Sequence, residues 1–101
     1  MIAVVTKIQF RKGEVEDAIK DYKEHIIPSR NLRKGSQGGY LLVDRKSGKA
    51  INISFWDNED YYGDADDEAQ YMIKKDIFKK HFEYFEAPFA GLHLFEVCTQ
   101  G

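Results

Sequence analysis

Ile2, Val4, Ile8 and Phe10 alternate with Ala3, Val5, Lys7 and Gln9 at the start of the chain. This period of two predicts a strand over 2–10, closed by Arg11-Lys12-Gly13. The period then changes. Val15, Ile19, Tyr22 and Ile26 fall at i, i+4, i+7 and i+11, one apolar stripe of a helix with acids and lysines opposite. Glu14, Glu16 and Asp17 suit the positive end of its dipole, and Pro28 predicts an end near Ile27. The polar, glycine-containing stretch from Ser29 to Gly39 reads as a loop. Tyr40–Arg45 and Ala50–Asp57 read as strands joined through Lys46-Ser47-Gly48-Lys49, whose Ser-Gly supplies hairpin turn chemistry. A short helical stretch follows through Glu59–Gly63, then a longer one over roughly 67–86. In the longer one Ala69, Met72, Ile73 and Ile77 share one arc, and Tyr71, Phe78, Phe82 and Phe85 a second. Apolar coverage that wide predicts a bend near Asp76 or contacts on two sides. Pro88 and Gly91 punctuate, and Leu92 to Cys98 reads as a final strand.

The order βαββαβ, without internal repeats, predicts one domain over 1–101 of class α+β. Right-handed crossovers place both helices on the same side of an antiparallel sheet, which makes a two-layer sandwich. Each strand carries apolar residues at both parities: Val4 beside Val5, Leu42 beside Val43, Phe55 beside Trp56, Leu94 beside Phe95. A half-solvated sheet alternates apolar with polar, so the second face wants a cover that 101 residues do not supply. Homodimerisation through the sheet faces is the economical expectation.

Composition narrows the function classes. With 43% apolar and 14% aromatic residues and only two prolines, the chain has a core to bury and is not a disordered segment. Met1–Val5, the longest uncharged apolar run, is too short to span a bilayer, and no basic-then-apolar leader precedes it; the expectation is a cytoplasmic protein without a membrane partner. Cys98 stands alone, so neither a disulfide framework nor a Cys-rich zinc site is available, and its position beside the terminus suggests a small buried apolar group. The net charge is −2, unevenly distributed. Arg30, Arg33, Lys34, Arg45, Lys46 and Lys49 face one acid, Asp44, over 30–49, whereas 57–68 carries acids only. The basic stretch has only Tyr40 interleaved and reads as solvated surface, so nucleic acid is not an expected partner.

The third strand holds the candidate chemistry. Ile51, Ile53 and Phe55 share one face, so an amide, a hydroxyl and an indole (Asn52, Ser54, Trp56) line up on the other. Buried, they need hydrogen-bond partners and line a pocket; in the blander reading Asn52 and Ser54 face solvent and Trp56 packs at a rim. Tyr62, six residues beyond Trp56, can turn a phenol toward the same space, and Tyr71 and Phe78 can wall it. His81, among Ile77, Phe78, Phe82 and Phe85, is either a core histidine or a base titrating near neutrality in a cleft. His25 suits the C-terminal end of the first helix, and His93 lies on either sheet face. The three histidines lack metal-ligand spacing, and Ala69 stands where a calcium loop around Asp64–Glu68 would need glycine, so no metal is expected. No nucleophile elbow and no phosphate-cradling loop is present.

Lys12-Gly13, the strand start Gly38-Gly39-Tyr40-Leu41-Leu42, the returning strand Ile51-Asn52-Ile53-Ser54-Phe55-Trp56-Asp57, Phe78-Lys79-Lys80-His81-Phe82 and Pro88 together resemble the antibiotic biosynthesis monooxygenase family, over nearly the whole chain. The resemblance implies a ferredoxin-like monomer that pairs sheet to sheet into a dimeric α/β barrel, with one pocket per subunit between sheet and helices. It implies oxidation of a phenolic or quinol-type aromatic small molecule by oxygen, without metal, flavin or other cofactor. Asn52, Trp56 and Tyr62 look like that family's pocket set, with Asn52 and Trp56 hydrogen-bonding the developing oxyanion or peroxide and Tyr62 orienting the substrate hydroxyl. The family also uses an Arg on its second helix. No Arg follows Arg45 here, so Lys74, Lys75 or His81 would substitute. A haem-degrading branch of the same superfamily uses a first-strand Asn with a Trp and a His on the second helix; His81 matches the His, but Tyr71 stands for the Trp and Thr6 or Lys7 for the Asn. A small-molecule-binding or stress-related dimer without catalysis is the third reading. The RNA-recognition fold shares the strand order but needs exposed aromatics on its first and third strands with bases beside them.

Overall fold

The computed structural model describes residues 1–58, 79–86 and 92–101. Four strands, β1 (Ile2–Gln9), β2 (Ser36–Val43), β3 (Lys49–Trp56) and β4 (Leu92–Glu96), form one sheet in the order β2-β3-β1-β4 with every pairing antiparallel. This is the ferredoxin-like α+β arrangement, with β1 and β3 at the centre. The short helix expected at 59–63, most of the long one at 67–86 and the bend near Asp76 lie outside the described residues.

Register assigns the two faces. Ile2, Val4, Thr6 and Ile8 stand opposite Trp56, Ser54, Asn52 and Ala50, and directly opposed residues share a face. The helix lies on this side: Val4, Thr6, Ile8, Phe10, Ala50, Ser54 and Trp56 are all buried. On this side Ser54 and Trp56 are buried and Asn52 is half-buried, against the reading in which Asn52 and Ser54 face solvent and Trp56 packs at a rim. Ala3, Val5 and Lys7 stand opposite Phe55, Ile53 and Ile51 on the other face, which Tyr40, Leu42, His93 and Phe95 extend. Tyr40 remains 63% exposed and Phe95 55%, an apolar sheet face that the described residues leave open.

The first helical region runs further than Pro28 suggested. It consists of α1 (Val15–Asp21), a π-wound turn (Tyr22–Ile26) and α2 (Ile27–Asn31), with Pro28 in the first turn of α2. In a regular α-helix a proline ring collides with the carbonyl four residues back and wastes its hydrogen bond. The wider π turn falls where that conflict would arise, so the chain continues helical through the proline. The loop expected over 29–39 shrinks accordingly to 32–35, and the buried stripe extends from Ala18, Tyr22 and Ile26 to Ser29 and Arg30. Arg30 is therefore not part of a solvated basic surface, and His25 lies inside the helical region, not at its end.

Residues 79–81 are helical and pass into a 3-10 turn (Phe82–Tyr84). The expected helix through 86 thus stops short, and Phe85 is extended. The end of β1 holds it there: Phe10 bridges Phe85, the Arg11 amide donates to the Tyr84 carbonyl (2.8 Å), and the Glu86 amide donates to the Gln9 carbonyl (2.8 Å). Phe10 and Phe85 join Ile8, Ala18 and Ala50 in the core. The β2–β3 hairpin closes where Asp44 and Gly48 exchange backbone bonds with their neighbours; Gly48 has φ +76°, and a Cβ there would meet the Phe10 carbonyl at 2.9 Å. Cys98, expected to be buried, is exposed beyond β4.

Candidate functional site

Tyr22 is the hub of a polar cluster buried between the helical region and the sheet. Its hydroxyl donates to Asn52 Oδ1 on β3 (2.5 Å) and accepts from Arg30 Nη1 on α2 (2.7 Å). Burial, the dominant influence, pushes the Tyr22 phenol above its ordinary value of 10.0, against the opposing pull of the Arg30 charge. The group is therefore a neutral phenol at physiological pH. That bond fixes the Asn52 amide with Oδ1 toward the hydroxyl, which leaves the Nδ2 hydrogens as the donors it offers a ligand.

His81 stands beside Tyr22, with ring centroids 5.8 Å apart, and is walled by Phe10, Tyr84 and Phe85. The 82–86 segment pinned to the end of β1 fixes its position. Its Nδ1 lies 2.8 Å from Asp21 Oδ2, and the two side chains are only 3% and 6% exposed. A carboxylate accepts, so the ring proton sits on Nδ1 and Nε2 keeps its lone pair. Nε2 is buried and has no hydrogen-bond partner among the described residues. Burial lowers the His81 pKa from 6.5 and outweighs Asp21, which raises it. The imidazole is thus neutral near pH 7, oriented by Asp21 and free to accept a proton at Nε2. His25 lies on the outer side of the same carboxylate, with Nε2 3.9 Å from Asp21 Oδ1 and 48% of its side chain exposed.

Further along β3, Trp56 Nε1 donates to Ser54 Oγ (3.0 Å) and the indole is 2% exposed. The Arg33 guanidinium carbon lies 4.8 Å from the Trp56 ring. Asn52, Ser54 and Trp56 thus present one continuous row toward the helix, with the Trp56 N–H committed to its neighbour on the strand. The structure brings Asn52, Ser54, Trp56 and His81 to the same side of the sheet. Tyr62, Tyr71 and Phe78, together with Lys74 and Lys75, lie outside the described residues. His93 is on the opposite face, near Phe95. Among the described residues no cluster of three His, Cys, Asp or Glu side chains converges as a metal site, and no helix is long and apolar enough to cross a membrane.

Three residues of the cluster are absent from the sequence-based candidates. Tyr22 reads as one apolar member of a stripe, Asp21 as surface beside it, and Arg30 as part of a loop. Continuing the stripe from Ile26 by three and four residues does land on Ser29 and Arg30; only the stop assigned to Pro28 hides it.

No family model and no curated protein matches the chain. Solved structures do. SnoaB, a cofactor-independent oxygenase from Streptomyces nogalater, superposes with a TM-score of 0.74 at 11% identity, over 98% of this chain and 94% of that one. A solved antibiotic biosynthesis monooxygenase gives 0.73 at 12% identity, over 98% and 100%. A NIPSNAP domain protein from Burkholderia xenovorans gives 0.70 at 11%, over 97% and 95%. At such identities the likeness is one of fold, and it agrees with the resemblance carried by the strands and His81. The chain has the ferredoxin-like fold of the solved antibiotic biosynthesis monooxygenases.

Proposed function

We propose that the protein is a cofactor-independent monooxygenase that oxidises an aromatic or quinol-type small molecule with oxygen. The observation that carries this reading is His81: Nδ1 is held by Asp21, while Nε2 is buried beside the Tyr22–Asn52 pair with no partner among the described residues. A neutral, oriented imidazole whose free nitrogen faces the interior is built to take a proton from a bound substrate. With an anthrone-type substrate, His81 Nε2 removes a proton and leaves a carbanion delocalised as its enolate. Asn52 Nδ2 donates to the enolate oxygen, and Trp56 acts through the Ser54 hydroxyl it engages. The carbanion transfers its electrons to oxygen and forms a C–O bond; the resulting peroxide takes the proton back from His81. Elimination of water then leaves the carbonyl of the quinone. One methylene and one oxygen molecule become one carbonyl and one water, so no external reductant is required. Tyr62, Tyr71 and Phe78, the other expected pocket residues, lie outside the described residues.

The catalytic unit in this proposal is a homodimer paired through the open sheet faces, where Val5, Ile51, Ile53 and Phe55 form a continuous apolar surface. Haem degradation is less well supported. Thr6 is the β1 residue facing Asn52 on the helix side and Lys7 points to the open face, so neither supplies a first-strand amide. Substrate-dependent oxygen uptake by metal- and flavin-free protein, lost in His81→Gln, tests the proposal. A ligand that stays bound through purification and never turns over would favour the binding-only alternative.

A further inference from the structure

The structure assigns to Arg30 a role as the anion-binding residue of this site, and to the molecule it receives an ionised oxygen, either a carboxylate or an acidic phenol bound as phenolate. The Arg30 side chain is only 7% exposed. Among the described residues its hydrogen bonding is limited to Nη1, which donates to the Tyr22 hydroxyl at 2.7 Å, while the guanidinium carbon lies 5.7 Å from the Tyr22 ring and the buried Nε has no partner. Among the described residues no carboxylate pairs with it: the ion pairs are His25–Asp21, Arg45–Glu16 and His81–Asp21. A guanidinium is always charged, and burying one beside a neutral phenol is costly unless an anion compensates it. The fold nonetheless makes room for it. The helix is carried past Pro28 to place Arg30 inward, where its Nη1 packs over Gly39 on β2, a glycine that the close approach of the β3 backbone at Ile53 and Ser54 already requires. Within the same cluster His81 Nε2 is a second buried nitrogen without a partner. Two unsatisfied nitrogens bordering Tyr22, one a cationic donor and one a proton acceptor, suit an aromatic molecule that carries one ionised oxygen and has a further proton to lose. That the bound anion is then oxidised rests on the oxygenase reading; its binding does not.

Isothermal titration calorimetry under nitrogen separates the two. Wild-type protein is titrated with benzoate against benzamide, and with ionised para-nitrophenol against para-nitroanisole. At least one anion should bind about tenfold more tightly than its neutral analogue. A preference in the first pair alone assigns an aromatic acid, and in the second alone an acidic phenol. Arg30→Gln should abolish the preference and Arg30→Lys keep part of it. Without ligand, the Arg30→Gln melting temperature should equal or exceed that of wild type, because the substitution removes a buried charge that no described carboxylate pairs with. Equal binding of anions and neutral analogues by wild type, no binding of either anion, or a preference that survives Arg30→Gln overturns the assignment. None of these readings depends on turnover, so an anion preference without oxygen uptake would refute the oxygenase alone, and uptake without an anion preference would refute the role of Arg30 alone.

Discussion

The Tyr22 hydroxyl on the π-wound turn donates to Asn52 Oδ1 on the central strand, and this one bond ties the helical layer to the sheet at the centre of the polar cluster. The same oxygen accepts from Arg30, so removing it leaves two partners unsatisfied. Tyr22→Phe is expected to cost about 1–3 kcal/mol of stability, the penalty for stranding buried polar groups, with little change in packing. Urea unfolding of the variant and wild type measures it. A loss near zero would mean that water replaces the hydroxyl and that the cluster is wetter than its burial implies.

Asp21 touches His81 only at Nδ1, so it acts as a positioning residue. Asp21→Asn should lower kcat by about 10²- to 10⁴-fold with little change in KM, because an amide no longer fixes the tautomer with Nε2 unprotonated. The pH–rate profile should change shape in the variant, which a purely structural role would not produce. Steady-state oxygen uptake across pH checks both.

Stability should depend on pH in opposite senses at the two ends of the range. The folded pKa of His81 lies below 6.5, so the unfolded chain binds the extra proton first and the contribution of His81 is lost as pH falls below 6.5. The folded pKa of Tyr22 lies above 10.0, so the unfolded chain releases its proton first and stability declines as pH rises past 10.0. Melting temperatures of wild type, His81→Gln and Tyr22→Phe over that range test this. Each variant should flatten its own limb and leave the other intact.

The open face of the sheet predicts assembly. Ile53→Arg or Phe55→Glu should convert a dimer into a monomer in sedimentation velocity while the far-ultraviolet circular dichroism is unchanged, since neither side chain lies on the helix side. A wild-type protein that sediments as a stable monomer at micromolar concentration would refute the sheet-to-sheet dimer.

Much of this architecture is readable from period alone. Alternation places Asn52, Ser54 and Trp56 opposite Ile51, Ile53 and Phe55, and the structure keeps that division. The fold class follows from the element order. Element ends and polar interior contacts are less accessible. Pro28 is a sound stop signal for a regular α-helix, and a π turn two residues upstream cancels it for reasons no local pattern carries. Arg30 consequently reads as a loop base although it continues the buried stripe. The Asp21–His81 pair spans sixty positions of sequence and depends on the 82–86 segment docking against the end of β1. Proximity of that kind is a product of tertiary packing. The apolar second arc of the long helix also proves misleading at its end, because Phe85 leaves the helix to bridge Phe10.

Oxygen consumption by purified protein, stripped of metal and flavin, on a panel of anthrones and hydroquinones decides whether His81 and the Tyr22–Asn52 pair form a cofactor-independent oxygenase site. Substrate-dependent uptake of one oxygen molecule per anthrone converted to quinone is expected, reduced by about 10²-fold or more in His81→Gln and weakened in Asn52→Ala and Trp56→Phe. Absence of uptake by the folded protein on every substrate, or uptake that His81→Gln leaves unchanged, would contradict it.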